Sequence, residues 1–222
     1  MAASSTVTRA GKARTNLAFK LFGSAAILSV AVVFVFNYVF PLYLHYNEAA
    51  YNEAAPNHWS LRGWLLMHMT AGTVTLLTGP LQFWTGFRRR YARLHRWMGR
   101  LFLGGVAVGS VSAYRMAIGT ALGWGFGFAL LVMATAWFTS AAMAFYAIVR
   151  GRVQIHKEWM ARTYVVTSAF VTIRVLNDYY PGDRLPTSDR AVTYAWASWV
   201  LPLLFTELIL QLRRMRSSVS SA

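Results

Sequence analysis

The sequence predicts an all-α integral membrane bundle of six transmembrane helices with both termini cytoplasmic. Three observations carry that expectation. Hydrophobic residues make up 56% of the chain and charged residues only 13%, about half the charged share of an average soluble domain. The apolar residues come in runs long enough for the roughly 20 residues that a bilayer core demands. The charges between the runs alternate in sign. Basic clusters occupy Arg9 to Lys20, Arg88 to Arg100, Arg150 to Arg162 and Arg213 to Arg216, opposed there only by Glu158. Acids gather in the intervening segments, at Glu48 and Glu53, then at Asp178, Asp183 and Asp189. That alternation is the positive-inside pattern.

The elements follow in chain order. A basic, acid-free tail over residues 1–20 precedes the first apolar span, Leu21 to Leu44. The span is too long for a signal-peptide core, so an uncleaved first helix is expected. The outer loop then repeats Tyr-Asn-Glu-Ala-Ala, at 46–50 and 51–55, which reads as an interfacial turn without chemistry. Span two runs from Leu61 to Trp84, span three from Leu101 to Thr120 and span four from Trp124 to Ile148. Gly119, Gly123 and Gly127 straddle the turn between spans three and four, where close helix packing explains them. Span five, Thr163 to Tyr180, is interrupted at its far end by Arg174, Asn177 and Asp178. Span six runs from Ala191 to Leu212, and a second basic cytoplasmic tail occupies 213–222. No linker divides 21–212, so a single transmembrane domain is expected.

Composition also excludes. The chain has no cysteine, which removes disulfides, iron–sulfur clusters and thiolate chemistry. A net charge of +15 would suggest nucleic acid in a soluble protein. Here its placement assigns it to membrane orientation, and no nucleic-acid partner is expected. No Gly-rich phosphate loop, His-Glu-x-x-His zinc site or Gly-x-Ser-x-Gly elbow is present.

Histidines carry the most legible chemistry. His68 lies inside span two, with Gly72, Thr75 and Gly79 after it at helical spacing. That face is a groove of small residues, open to a neighbouring helix or a flat cofactor. His95 and His156 open spans three and five in echoing motifs, His-Arg-Trp97-Met98-Gly-Arg100 and His-Lys-Glu-Trp159-Met160-Ala-Arg162. The echo suggests a duplicated helical hairpin. An imidazole at the mouth of an apolar helix serves metal or haem ligation, proton relay, or contact with lipid headgroups. The first two are functions and the third is structural; all three stay open. Two imidazoles at similar depth can take both axial positions of a haem iron, with Arg96, Arg100 and Arg162 near its propionates or the anionic leaflet. Arg115 and Arg174 either snorkel to the headgroups or turn inward with His68 to form a cationic pocket for a quinone or an anion. Asp178 lies one turn past Arg174, suited to an ion pair. Glu207 is the one carboxylate deep in a span, a proton carrier or an arginine partner.

The stretch from His68 and Gly72 through Gly79-Pro80-Leu81-Gln82, Arg88 and Leu94-His95-Arg96-Trp97-Met98-Gly99-Arg100 resembles an uncharacterised bacterial family. Its members are multi-pass membrane proteins of the domain of unknown function 2306 type. His156, Trp159, Met160, Arg162 and Arg174 extend the resemblance. More loosely, the same two-helix passage is similar to cytochrome b561 and related transmembrane ferric reductases. That resemblance implies b-type haem near each membrane face. It places His95 and His156 as the inner iron ligands, and His68 at the outer site with only the loop residues His45 and His58 to pair with it. The function expected on this basis is haem b-dependent electron transfer in the bacterial cytoplasmic membrane, linked to a quinone or another small reductant. The alternative is a haem-free membrane protein, a small transporter or an accessory subunit of a membrane complex, with lipid and a homo-oligomeric or complex partner around it.

Excluding Arg115 and Arg174, 17 basic residues fall in the expected inner segments and three, Arg62, Arg184 and Arg190, in the outer ones. The native chain offers a cysteine-free background. Asn52→Cys is expected to react with an impermeant thiol reagent in intact cells, and Ala92→Cys to be protected; labelling of Ala92→Cys from outside would reverse the orientation.

Overall fold

The computed structural model describes residues 22–49, 59–83, 91–180 and 186–219. The N-terminal tail, most of the duplicated loop with His58, the Arg88–Arg90 cluster, and Asp183 with Arg184 lie outside the described residues. The principal elements are α1 (Phe22–Leu44), α2 (Arg62–Phe83), α3 (Ala92–Ile118), α4 (Trp124–Val149), α5 (Val153–Thr167), α6 (Ala169–Tyr179) and α7 (Thr187–Val219). No strand occurs among the described residues. An all-helical chain is what apolar surroundings require, since a helix pairs its own backbone groups.

Four helices are long and apolar enough to cross a membrane: α1, α3, α4 and, over Thr187–Arg216, α7. The expected count of six is corrected to four by that measure, and spans two and five fall short for different reasons. α2 has the length, at 22 residues, but His68, four threonines and Gln82 dilute its hydropathy. Span five is not one helix. It breaks at Ser168 into α5 and α6, of 15 and 11 residues. Around the break the hydroxyls of Thr163, Thr167, Ser168 and Thr172 donate to carbonyls three or four residues back, at 2.7–3.2 Å. Hydroxyls that compete for helix carbonyls bend and interrupt helices.

α2 and α3 lie antiparallel along their length. Gln82 meets Gly99, Gly79 meets Phe102, Ala71 and Thr75 meet Gly105, and Leu61 meets Gly119. The glycines set this spacing. A Cβ on Gly105 would stand 2.7 Å from the Thr75 methyl and 3.2 Å from the Ala71 carbonyl oxygen. α4 packs beside α3, and α5 beside α4, so the pairs close around a core of Phe102, Val106, Trp137, Met160, Tyr164 and Val166. α7 covers α4, α5 and α6. α1 is peripheral, touching α2 through its π-helical turn, Val35–Val39, and through Tyr43, whose hydroxyl bonds to Thr70 and the Leu66 carbonyl.

One hydrogen bond ties the core together. Pro80 is fully buried inside α2 and has no N–H, so the Leu76 carbonyl four residues earlier loses its helical donor. The Tyr164 hydroxyl of α5 donates to that carbonyl at 3.2 Å. Gly79 makes room for the phenol: a Cβ there would lie 2.2 Å from the Tyr164 ring. Tyr164→Phe is expected to cost about 1–3 kcal/mol, the penalty for an unsatisfied buried acceptor, read as a lowered unfolding midpoint in detergent. Gly79→Val displaces the whole ring and should lower the midpoint further; a Gly79→Val protein as stable as wild type would contradict this packing.

Candidate functional site

His68 is the buried polar centre of the bundle. Its side chain is only 9% exposed, and its Nδ1 lies 2.9 Å from the Gly109 carbonyl oxygen of α3. A carbonyl only accepts, so Nδ1 carries the hydrogen. The approach depends on Gly109 itself, where a Cβ would stand 2.8 Å from the Trp137 ring and 3.5 Å from Ala71. Trp137 and Phe170 meet the imidazole edge-on, with ring centroids 6.3 and 4.8 Å away. Trp137 is held in turn by its indole N–H, which donates to Thr167 at 2.9 Å. α2, α3, α4 and the α5–α6 pair thus each contribute a group that fixes one imidazole.

The imidazole lines a cavity of about 310 Å³ between α1, α2, α3, α4 and α6. Its walls are mostly Leu, Met and aromatic side chains, including Met69, Met116, Met133 and Trp137. Arg174 and Asn177 line it as well. Arg174 lies one turn beyond Phe170 on α6, half-buried, with its guanidinium 5.8 Å from the Tyr38 ring centre. Asp178 does not take up the expected ion pair with it. Among the described residues Asp178 instead accepts a hydrogen bond from the Tyr38 hydroxyl of α1, and Arg174 forms no salt bridge. The inward cationic pocket anticipated from sequence therefore has one arginine and not two. Arg115 is exposed, beside Gly119 and Leu61, and does not line the cavity.

The other expected site residues lie elsewhere. His95 and His156 occupy equivalent places, each the fourth residue of its helix, with its backbone N–H bonded at 2.9 Å to the residue before the helix. Beyond that the two diverge, and His156 places its Nδ1 2.8 Å from the Ala144 carbonyl oxygen of α4. Arg96 and Arg100 are exposed, and Arg100 stacks over Trp97 at 5.4 Å. Gln82 is buried under Gly99, and its Nε2 has no hydrogen-bond partner among the described residues. Arg162 meets both carboxylate oxygens of Glu207 on α7, one at 2.9 Å, and lies over Trp159 at 4.6 Å. Glu158 pairs with Arg214 and accepts from Gln154 at 3.3 Å. Two ion pairs therefore clamp α5 to α7 at the basic end of the bundle.

A haem between His95 and His156 requires a porphyrin-wide slot between α3 and α5. Two turns beyond the histidines these helices meet at α2. Phe102 of α3 and Tyr164 of α5 both close on Gly79, and Met160 belongs to the same buried cluster. Neither histidine lines the cavity around His68. Sequence reasoning missed Trp137, Phe170, Tyr38 and the Gly109 carbonyl. A tryptophan in the middle of an apolar span, away from the interfacial belts where the residue concentrates, was a signal for Trp137. The other three had none.

Breaking the clamp tests its contribution. Glu207→Gln removes a charge-assisted partner from Arg162 and is expected to cost about 1–2 kcal/mol, tempered by the exposure of the carboxylate. The exchanged pair, Arg162→Glu with Glu207→Arg, should recover part of the lost thermal midpoint.

Residues 65–210 match the family described as "Predicted membrane protein (DUF2306)", and that match spans well over half of the chain. Comparison with curated proteins and with solved structures returned no match. With four apolar helices and this family match, the chain belongs to the DUF2306 family of predicted membrane proteins.

Proposed function

We propose that this chain is a haem-free helical membrane protein that binds a small lipophilic molecule in the cavity around His68. One observation carries the reading: a buried imidazole, anchored through one nitrogen, lines an apolar cavity that also holds an arginine with no carboxylate partner among the described residues. Ionisable groups inside a membrane bundle are costly and mark binding or transport paths. An apolar cavity near 300 Å³ with a few convergent polar groups is the usual form of a small-molecule site. Binding of this kind suits a small transporter better than an electron carrier.

In this reading α2 and the α5–α6 pair cross a bacterial cytoplasmic membrane beside the four apolar helices. The support is their pairing. α2 runs antiparallel to α3 from Leu61 to Gln82, and α5 runs antiparallel to α4, with His156 at Ala144 and Thr167 at Trp137. Each is sheltered by its partners, so each tolerates more polar residues than a lipid-facing helix.

Gly72 gives the test. It lines the cavity, and a Cβ there would meet only the Phe170 ring, at 3.9 Å. Gly72→Leu therefore fills the cavity without touching backbone. Organic extraction of detergent-purified wild type, followed by mass spectrometry, is expected to release a near-stoichiometric lipophile that Gly72→Leu lacks. Identical extracts from the two proteins would end the proposal.

A further inference from the structure

We infer that the cavity takes an aromatic head group bearing a hydroxyl, a quinol or related diphenol, whose O–H donates to His68 Nε2. The inference rests on the cavity being a ligand site and adds the chemical polarity of what it holds. A neutral imidazole has one N–H and one acceptor nitrogen. With the hydrogen on Nδ1 and directed at the Gly109 carbonyl, Nε2 is an acceptor. No described residue donates to it, and burial between Trp137 and Phe170 keeps the ring from turning to solvent. A ligand group seated against Nε2 therefore has to supply a hydrogen. A ketone, an ether or a carboxylate would set lone pair against lone pair and leave both acceptors unsatisfied in an apolar site, the costly arrangement for buried polar groups.

Arg174 imposes the opposite demand. A guanidinium only donates, and Asp178, the nearby acid, is already engaged by Tyr38. Phe170, whose ring meets His68 edge-on, precedes Arg174 by four residues, a rise of about 6 Å, so the two polar groups border the same cavity. One end of the head group must donate and the other must accept. A fatty acid anion satisfies Arg174 and repels Nε2, and a long-chain alcohol seated at Nε2 leaves Arg174 without an acceptor. A diphenol meets both demands, and its flat ring suits walls formed by Phe34, Phe126, Trp137 and Phe170. The methionine and leucine side chains of the cavity are left to an alkyl substituent.

Three matched probes test this by isothermal titration of the detergent-purified full chain under anaerobic conditions. They are a decyl-substituted benzoquinol, the corresponding benzoquinone and the dimethyl ether of the quinol. The quinol is expected to bind at least tenfold tighter than the other two. His68→Phe should remove that preference, bringing the dimethyl ether level with the quinol, and Arg174→Gln should weaken the quinol severalfold. Equal affinities of wild type for all three probes overturn the inference and leave the ligand cavity standing. Failure of all three to bind also overturns the inference. The cavity proposal falls with it only if Gly72→Leu leaves the extracted lipophile unchanged. Because the three-probe comparison uses wild-type protein, its outcome does not depend on either variant folding.

Discussion

In an apolar medium every buried polar group has to find its partner inside the protein, and this constraint shapes the bundle from end to end. Its clearest expression is the Leu76 carbonyl, orphaned by Pro80 and satisfied by the Tyr164 hydroxyl from across the core. That one contact explains why a proline is tolerated at the middle of the packing. It also explains why Gly79 precedes the proline, and why α2 and α5 stay in register although they are far apart in sequence. The same requirement accounts for the hydroxyls of α5 and α6, which turn back on their own carbonyls and bend the helix where they crowd together.

Charge obeys the same rule at the basic end. Glu158 and Glu207 are the carboxylates described there, and each is committed to an arginine, joining α5 to α7. The remaining described arginines of that end, Arg93, Arg96, Arg100, Arg150, Arg152, Arg213 and Arg216, stay exposed, where anionic headgroups or water can meet them. Against this background His68 stands out. Gln82 Nε2, Ser110 Oγ and Trp199 Nε1 are sealed in packed surroundings without partners, whereas the imidazole borders open volume. A polar atom that faces a cavity can be satisfied by a ligand, and one sealed in close packing cannot.

The histidine echo led toward haem because spacing along a helix says nothing about what fills the space between helices. His95 and His156 do occupy equivalent positions on their helices. Two turns further along, Phe102, Met160 and Tyr164 of the same helices belong to one buried cluster, and these read as ordinary core in the sequence. His156 is drawn instead to a backbone carbonyl of α4.

By itself the sequence determined the helical class, four of the long apolar segments, the charge pattern between them, and a histidine inside span two that the structure buries. These properties follow from composition and local periodicity, which every residue carries with it. The tertiary structure alone decided that span five breaks at Ser168, since the break comes from several hydroxyls competing at once. It also decided that Arg174 turns toward the cavity while Arg115 does not, and that Glu207 serves Arg162. Above all it decided which nitrogen of His68 is left as an acceptor, because the Gly109 carbonyl that settles the matter lies 41 residues away on another helix. A backbone acceptor leaves no mark in the residue types, so only the packing of α2 against α3 could reveal it.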